Sequence, residues 1–140
     1  MSHEVFTHDW AVAWGEAIRA SDGYRTAARR WQWPMIIAMT PDPGLNLPER
    51  AVFLDLFEGD CREARSATET DRAATPYILS GDFNTWKRVL ERELEPILAL
   101  MTGKLKLEKG SLAALIPYVT AARELVATAS QVPYRFPEGA

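Results

Sequence analysis

The spacing of apolar residues divides the chain into a helical start, a strand-rich middle and a mostly helical second half. Trp10, Ala13, Trp14, Ala17 and Ile18 recur at i, i+3, i+4, i+7 and i+8. That period predicts an amphipathic helix over Asp9–Ser21, with Asp9 as its cap. Gly23 reads as the stop behind it, and Tyr24–Arg30 as a further helical turn or two. The period then changes. Trp31–Thr40 is rich in aromatic and β-branched residues and ends at the break Pro41-Asp42-Pro43-Gly44, which predicts a strand that Pro34 delays or confines to an edge. Ala51–Glu58 alternates Val52, Leu54 and Leu56 with Phe53, Asp55 and Phe57. Both of its faces are largely apolar, which places it centrally. Gly59-Asp60 turns the chain into a more polar strand, Cys61–Ala67. The polar run Ser66–Thr75 predicts a loop, and Tyr77–Ser80 a short fourth strand.

Beyond Gly81 the helical period returns. Phe83, Trp86, Val89, Leu90 and Leu94 follow a cap at Asp82 or Asn84, and Pro96 restarts a second helix through Met101, closed by Thr102-Gly103. Lys104–Lys109 alternates Lys104, Lys106 and Glu108 with Leu105 and Leu107, which predicts a fifth strand with one wet face. Ser111 caps a last helix running to about Ala129. Its stripe is Leu112, Leu115, Ile116, Val119, Ala122 and Val126. Pro117 lies inside and should kink or restart the helix, because an interior proline costs about 3 kcal/mol. With no repeat and no linker, these elements describe one α+β domain over residues 1–140.

Composition narrows the function classes. A chain of 140 residues, 47% of them hydrophobic, can bury one core. Sixteen Lys+Arg against nineteen Asp+Glu leave a net charge of -3, which gives no general attraction to nucleic acid or anionic lipid. The single cysteine, Cys61, excludes an internal disulfide and a Cys-based zinc cluster. His3 and His8 both lie near the start, so neither a metal centre nor a histidine triad is expected. The N-terminus has no basic, then apolar, leader, and the apolar runs fall short of the roughly 20 residues of a membrane span. The expectation is a soluble, cytoplasmic protein without cofactor, nucleic-acid partner or integral membrane segment.

Among candidate catalytic groups, Glu91, Glu93 and Glu95 cluster and Asp55 sits in an apolar strand, as paired acid–base carboxylates can. Lys87, Arg88 and Arg92 interleave the glutamates, however, which describes a solvated helix face. Cys61 has only Arg62 beside it to lower its pKa. Lys104, Lys106 and Lys109 form a basic strand face more readily explained by solvation than by a phosphate. No catalytic residue is assigned. What remains is an apolar surplus of five Trp, five Phe, four Tyr and four Met, which suits a core or an adaptable ligand pocket.

One stretch is more specific. The run Tyr77-Ile78-Leu79-Ser80-Gly81-Asp82-Phe83-Asn84-Thr85-Trp86 resembles the sterol carrier protein 2 (SCP2-like) family, in which a strand ends in Ser-Gly and a Trp-bearing helix begins. Leu94-Glu95-Pro96 followed by Ala99-Leu100-Met101-Thr102-Gly103-Lys104-Leu105-Lys106-Leu107 is similar to its acidic-Pro helix start and Gly-Lys-hydrophobic-Lys strand. The match is clearest over residues 76–128. It departs at Gly110-Ser111, where family members commonly have Gly-Asp, although serine caps a helix as well. The chain also lacks the family's peroxisomal address, as a free-standing bacterial or archaeal member would.

The resemblance implies a five-stranded, mainly antiparallel sheet covered by helices. It further implies an apolar tunnel between them for a fatty acid, acyl-CoA, sterol or phospholipid, bound and transferred without catalysis. Chosen by facing, the wall residues are Met35 and Ile37 of the first strand and Leu54 and Leu56 of the second. Phe83, Trp86 and Leu90 come from the middle helix, Ile97 and Met101 from the segment before the fifth strand, and Leu115, Ile116, Val119 and Val126 from the last helix. The alternative is a homodimerising or accessory module that uses Phe53 and Phe57. A less weighty third is an acyl- or steroid-acting enzyme with Asp55 or a glutamate of 91–95 as base.

Overall fold

Apolar alternation in the middle of the chain closes into a five-stranded sheet. In the computed structural model, which describes residues 2–137, the strands are β2 (Met35–Met39), β3 (Arg50–Phe57), β4 (Asp60–Ser66), β5 (Tyr77–Gly81) and β6 (Lys106–Lys109). Their order is β4-β3-β2-β5-β6, with every pairing antiparallel except β2 with β5. Glu58 and Gly59 join β3 to β4 with φ of 52° and 85°, the two-residue turn that matches strand twist. A Cβ on Gly59 would lie 2.5 Å from the Arg25 carbonyl oxygen, so the turn is also glycine's by space. A two-stranded parallel sheet of β1 (His3–Glu4) and β7 (Tyr134–Arg135) joins the two ends of the described chain.

Helices cover one face. They are α1 (His8–Arg19), α2 (Asp22–Ala27), α4 (Phe83–Leu90), α5 (Pro96–Met101), α6 (Leu112–Leu115) and α7 (Val119–Gln131). Helix α1 lies directly on β4, since a Cβ on Gly15 would come 2.6 Å from the Ala64 Cβ. Helix α7 packs against α1, α2, α4 and α5, and it is the keystone of this layer. The Trp14 indole donates to the Leu125 carbonyl (3.3 Å) and the Thr128 hydroxyl (2.9 Å), and Ser130 donates to the Leu90 carbonyl (3.0 Å). Met35, Ile37, Val52, Leu54 and Leu56 meet these helices in the core, while Ile36, Ala38 and Ile78 are as deeply buried on the opposite face of the sheet.

Several boundaries differ from the sequence-based expectation, each for a local reason. The first helix is capped not by Asp9 but by Thr7, whose hydroxyl also donates to the Glu4 carbonyl. Gly23 does not stop it. Ser21 caps a new helix, and Gly23 sits inside α2, where a Cβ would displace the end of the Glu124 side chain. The first large strand starts only at Met35, just after Pro34, and the last at Lys106 rather than Lys104. The run expected as a loop holds a short helix, α3 (Glu69–Ala74), nucleated by a reciprocal capping box between Thr68 and Asp71. The segment Leu112–Gln131 is long and apolar enough by composition to cross a membrane. In the fold it is three pieces, broken by a 3₁₀ turn at Ile116–Tyr118, with Leu115, Ala121, Leu125 and Ala129 packed into the core.

The connection carrying α3 crosses from β4 at one edge of the sheet to β5 beyond β2. It is pinned along the way by charge. Arg65 of β4 grips Asp71 through both carboxylate oxygens, Arg72 pairs with Glu49 at 2.6 Å, and Lys109 of β6 donates to the Arg72 and Ala73 carbonyls. Asp71 also accepts from the Thr68 N–H at 2.7 Å, and the Arg65 guanidinium beside it holds its carboxyl well below the usual carboxylate range. Its pKa is therefore lower folded than unfolded. The stabilisation it provides is complete above about pH 4 and is lost as pH falls further. Asp71→Asn is expected to cost about 1–2 kcal/mol at neutral pH, in line with other charge-assisted bonds, and to flatten the loss of stability below pH 4. Denaturant midpoints from pH 2 to 7 measure both, and an unchanged acid limb in the variant would contradict the assignment.

Candidate functional site

Between the sheet and the helices lies a cavity of about 80 Å³. The sheet contributes Met35 and Ile37 of β2, Leu56 of β3 and Leu79 of β5. Helix α1 presents Trp10 and Trp14 beside Phe6, which the left-handed turn at φ 64° drives into the core. Tyr24, Ala28 and Trp31 close one end; Trp86, Val89, Leu90, Pro96 and Ile97 form a second wall, and Leu115, Tyr118, Ala121, Ala122, Leu125 and Val126 the third. The aromatic rings are mutually packed: Phe6 stacks on Trp10 at 5.1 Å, Trp10 meets Trp14 at 4.9 Å, and Trp31 touches both Tyr77 and Tyr118. The walls carry no side chain that is charged at neutral pH. Burial raises the Tyr24 phenol far above its ordinary pKa, so it stays neutral.

Next to this cavity is a crevice of about 360 Å³ with a different character. It shares Val89, Pro96 and Val126 with the cavity and adds Leu94 and Leu98, but its rim is formed by Arg92, Arg123, Glu93 and Glu95. Glu95 is engaged as the cap of α5, accepting from the Ile97 and Leu98 N–H groups. Leu98 is half exposed at the crevice. An apolar chamber and a crevice with a charged rim thus share three apolar residues.

Of the residues chosen from sequence as tunnel wall, the fold brings Met35, Ile37, Leu56, Trp86, Leu90, Ile97, Leu115 and Val126 around the cavity. It places Leu54 in the core away from the cavity, Val119 half-buried against that core, and Phe83 half-buried with its ring edge-on to Phe136. Met101 and Ile116 are 58% and 46% exposed, on the outer sides of α5 and of the 3₁₀ turn. Trp10, Trp14, Tyr24, Trp31, Leu79, Ala121 and Leu125 line the cavity without having been singled out for it. Trp10 and Trp14 carried a visible signal, since they head the stripe of α1. Ala121 and Leu125 did not, because they lie off the stripe read across Pro117.

The polar candidates are either engaged structurally or exposed to solvent. Asp55 pairs with Arg62 through two bonds of 3.1 Å on the outer face of the sheet, and Glu91 and Glu93 are exposed. Phe53 and Phe57 are roofed by guanidinium groups, Arg65 over Phe53 at 4.5 Å and Arg62 over Phe57 at 4.3 Å. Burial pushes the Cys61 thiol up to about 11, so it is not a poised nucleophile. Lys109 is held by carbonyls of α3, while Lys104 and Lys106 are exposed.

No family model matches the chain, and no curated protein matches it. Solved structures do. The crystal structure of a sterol carrier protein 2 is 42% identical, with a TM-score of 0.83, and the alignment covers 92% of this chain and 99% of that one. The solution structure of a conserved hypothetical protein from Thermus thermophilus is also 42% identical, with a TM-score of 0.84 and coverage of 96% and 94%. The apo form of sterol carrier protein 2 from Yarrowia lipolytica, at 14% identity and a TM-score of 0.59, shares the fold over 90% of this chain and 89% of that one.

Proposed function

The chain belongs to the sterol carrier protein 2 family, and from that premise we propose that it binds one lipid-like apolar molecule between sheet and helices and transfers it without catalysis. The observation that carries this reading is the cavity itself: a space lined by aromatic and aliphatic side chains, in the layer between sheet and helices. An acyl chain of about 15 methylenes gains roughly 12 kcal/mol gross on burial, at about 0.8 kcal/mol per CH₂. Association consumes on the order of 4–15 kcal/mol of that. Useful affinity therefore demands that most of the chain be covered, and shape sets the selectivity.

At about 80 Å³ the cavity is much smaller than the 300–1,000 Å³ of ordinary ligand pockets. Binding therefore includes an expansion. The partition of Val89, Pro96 and Val126 is where it extends, because parting these side chains joins the cavity to the adjoining crevice. In this arrangement the tail occupies the aromatic chamber, and any charged headgroup stays outside with Arg92 and Arg123. What favours a carrier over a catalyst is the state of the candidate groups: burial pushes the Cys61 thiol up, Asp55 pairs with Arg62, and Glu95 caps α5.

Native mass spectrometry of the purified protein, followed by organic extraction, tests the reading. The expected result is a one-to-one mass increment from a co-purified lipid, or from added hexadecanoic acid or cholesterol. A protein that stays at its bare mass with every added lipid would overturn it.

A further inference from the structure

We propose that the occupant of the cavity carries one neutral, hydrogen-bond-accepting oxygen and places it against the indole N–H of Trp10; the proposal rests on the carrier reading above. Four tryptophans line the cavity, and each indole nitrogen is a donor with no capacity to accept. Three are satisfied by the protein. Trp14 donates to Thr128 at 2.9 Å, Trp31 to the Trp33 carbonyl at 2.7 Å, and Trp86 to the Ala38 carbonyl at 2.8 Å. The fourth, on Trp10, is buried with no partner among the described residues, and the residue is 1% exposed.

An orphan donor in a packed interior is costly, and natural folds retain few of them. Phe6 and Trp14, packed against the ring, present only π-faces and edges. A resident water is a poor remedy, since a buried water needs two to four polar partners and the wall around Trp10 is aromatic and aliphatic. The acceptor that is missing from the protein therefore arrives with the ligand. It is neutral, because no Lys, Arg or His lines the cavity to balance a carboxylate or phosphate. The matching class is an alcohol, ketone or ester of otherwise hydrocarbon character, with its oxygen at the inner end.

A matched pair of probes, tridecane and 2-tridecanone, separates this inference from the reading it rests on. In the native protein the Trp10 indole N–H resonance, assigned through the residue's own ring and backbone protons, is expected to move downfield with the ketone and to stay in place with the alkane. Trp10→Phe keeps an aromatic ring and deletes the donor. It is expected to weaken the ketone about tenfold more than the alkane, which feels only the smaller ring. A bound ketone with the Trp10 resonance unmoved overturns the inference, as does a variant that weakens both probes equally. Should Trp10→Phe not fold, the resonance in the native protein decides alone. If neither probe binds while hexadecanoic acid or cholesterol does, the inference fails and the carrier reading stands; if none of the four binds, both fail.

Discussion

Ala121→Phe is expected to abolish lipid binding while leaving the protein folded. Ala121 lies on the inward face of α7, 6% exposed, and forms part of the cavity wall. A benzyl group in place of its methyl projects into the space the ligand must use. Overpacking a core in this way costs about 1–3 kcal/mol, which a domain of typical stability, about 5–15 kcal/mol, survives. The existing void absorbs part of the strain. Affinity for a fluorescent hexadecanoyl probe should fall at least tenfold, about 1.4 kcal/mol or more. Ala113→Phe, at an exposed position on the same stretch of chain, should bind as the native protein does. Equal affinity of the Ala121 variant and the native protein would show that the ligand lies elsewhere.

The largest loss of stability is expected at Trp86. Its ring is 5% exposed, sits 5.5 Å from Phe6, and sends its N–H 2.8 Å to the Ala38 carbonyl in the middle of β2. It therefore joins α4 to the sheet by packing and by a buried bond at once. Trp86→Ala should cost about 3–5 kcal/mol through the cavity and the lost contacts. Trp86→Phe, which forfeits the bond and part of the ring, should cost about 1–2 kcal/mol. Urea denaturation gives both values. A cost below about 1 kcal/mol for the alanine variant would mean that α4 is held by something other than this residue.

The architecture was largely legible in sequence because its signals are local. Pro34, Gly59, Gly81, Pro96 and Ser111 mark real boundaries, and the alternation in 51–58 delivers Val52, Leu54 and Leu56 to the core. Helix α3 escaped because its six residues bury none of their side chains and carry no apolar period. Its evidence was the capping box alone. The pocket was less legible, for a geometrical reason. A 3₁₀ turn advances about 120° per residue where an α-helix advances about 100°. The turn at Ile116–Tyr118 therefore rotates everything after it: the most deeply buried positions of α7 are Ala121, Leu125, Thr128 and Ala129, while Ala122 and Val126 stay half-buried at the cavity wall and Val119 drops out of it. Trp31 reaches the cavity from a loop and Tyr24 from the six-residue α2, too short for a periodicity that announces which way a side chain faces. Phe53 and Phe57 looked like a bare apolar face in one dimension. Their arginine roofs come from the neighbouring strand.

The placement of the indoles has an optical consequence. Trp10, Trp14, Trp31 and Trp86 surround the cavity, whereas Trp33 is half exposed. Near-ultraviolet emission from this protein is therefore expected to be a sum of two populations, a large blue-shifted one from the chamber wall and a smaller red-shifted one from a residue open to solvent. Excitation energy passes readily between rings as close as Trp10 and Trp14, 4.9 Å apart. Whatever enters the chamber perturbs the coupled group together and leaves Trp33 as an internal reference. The protein thus reports the occupancy of its own interior without a label.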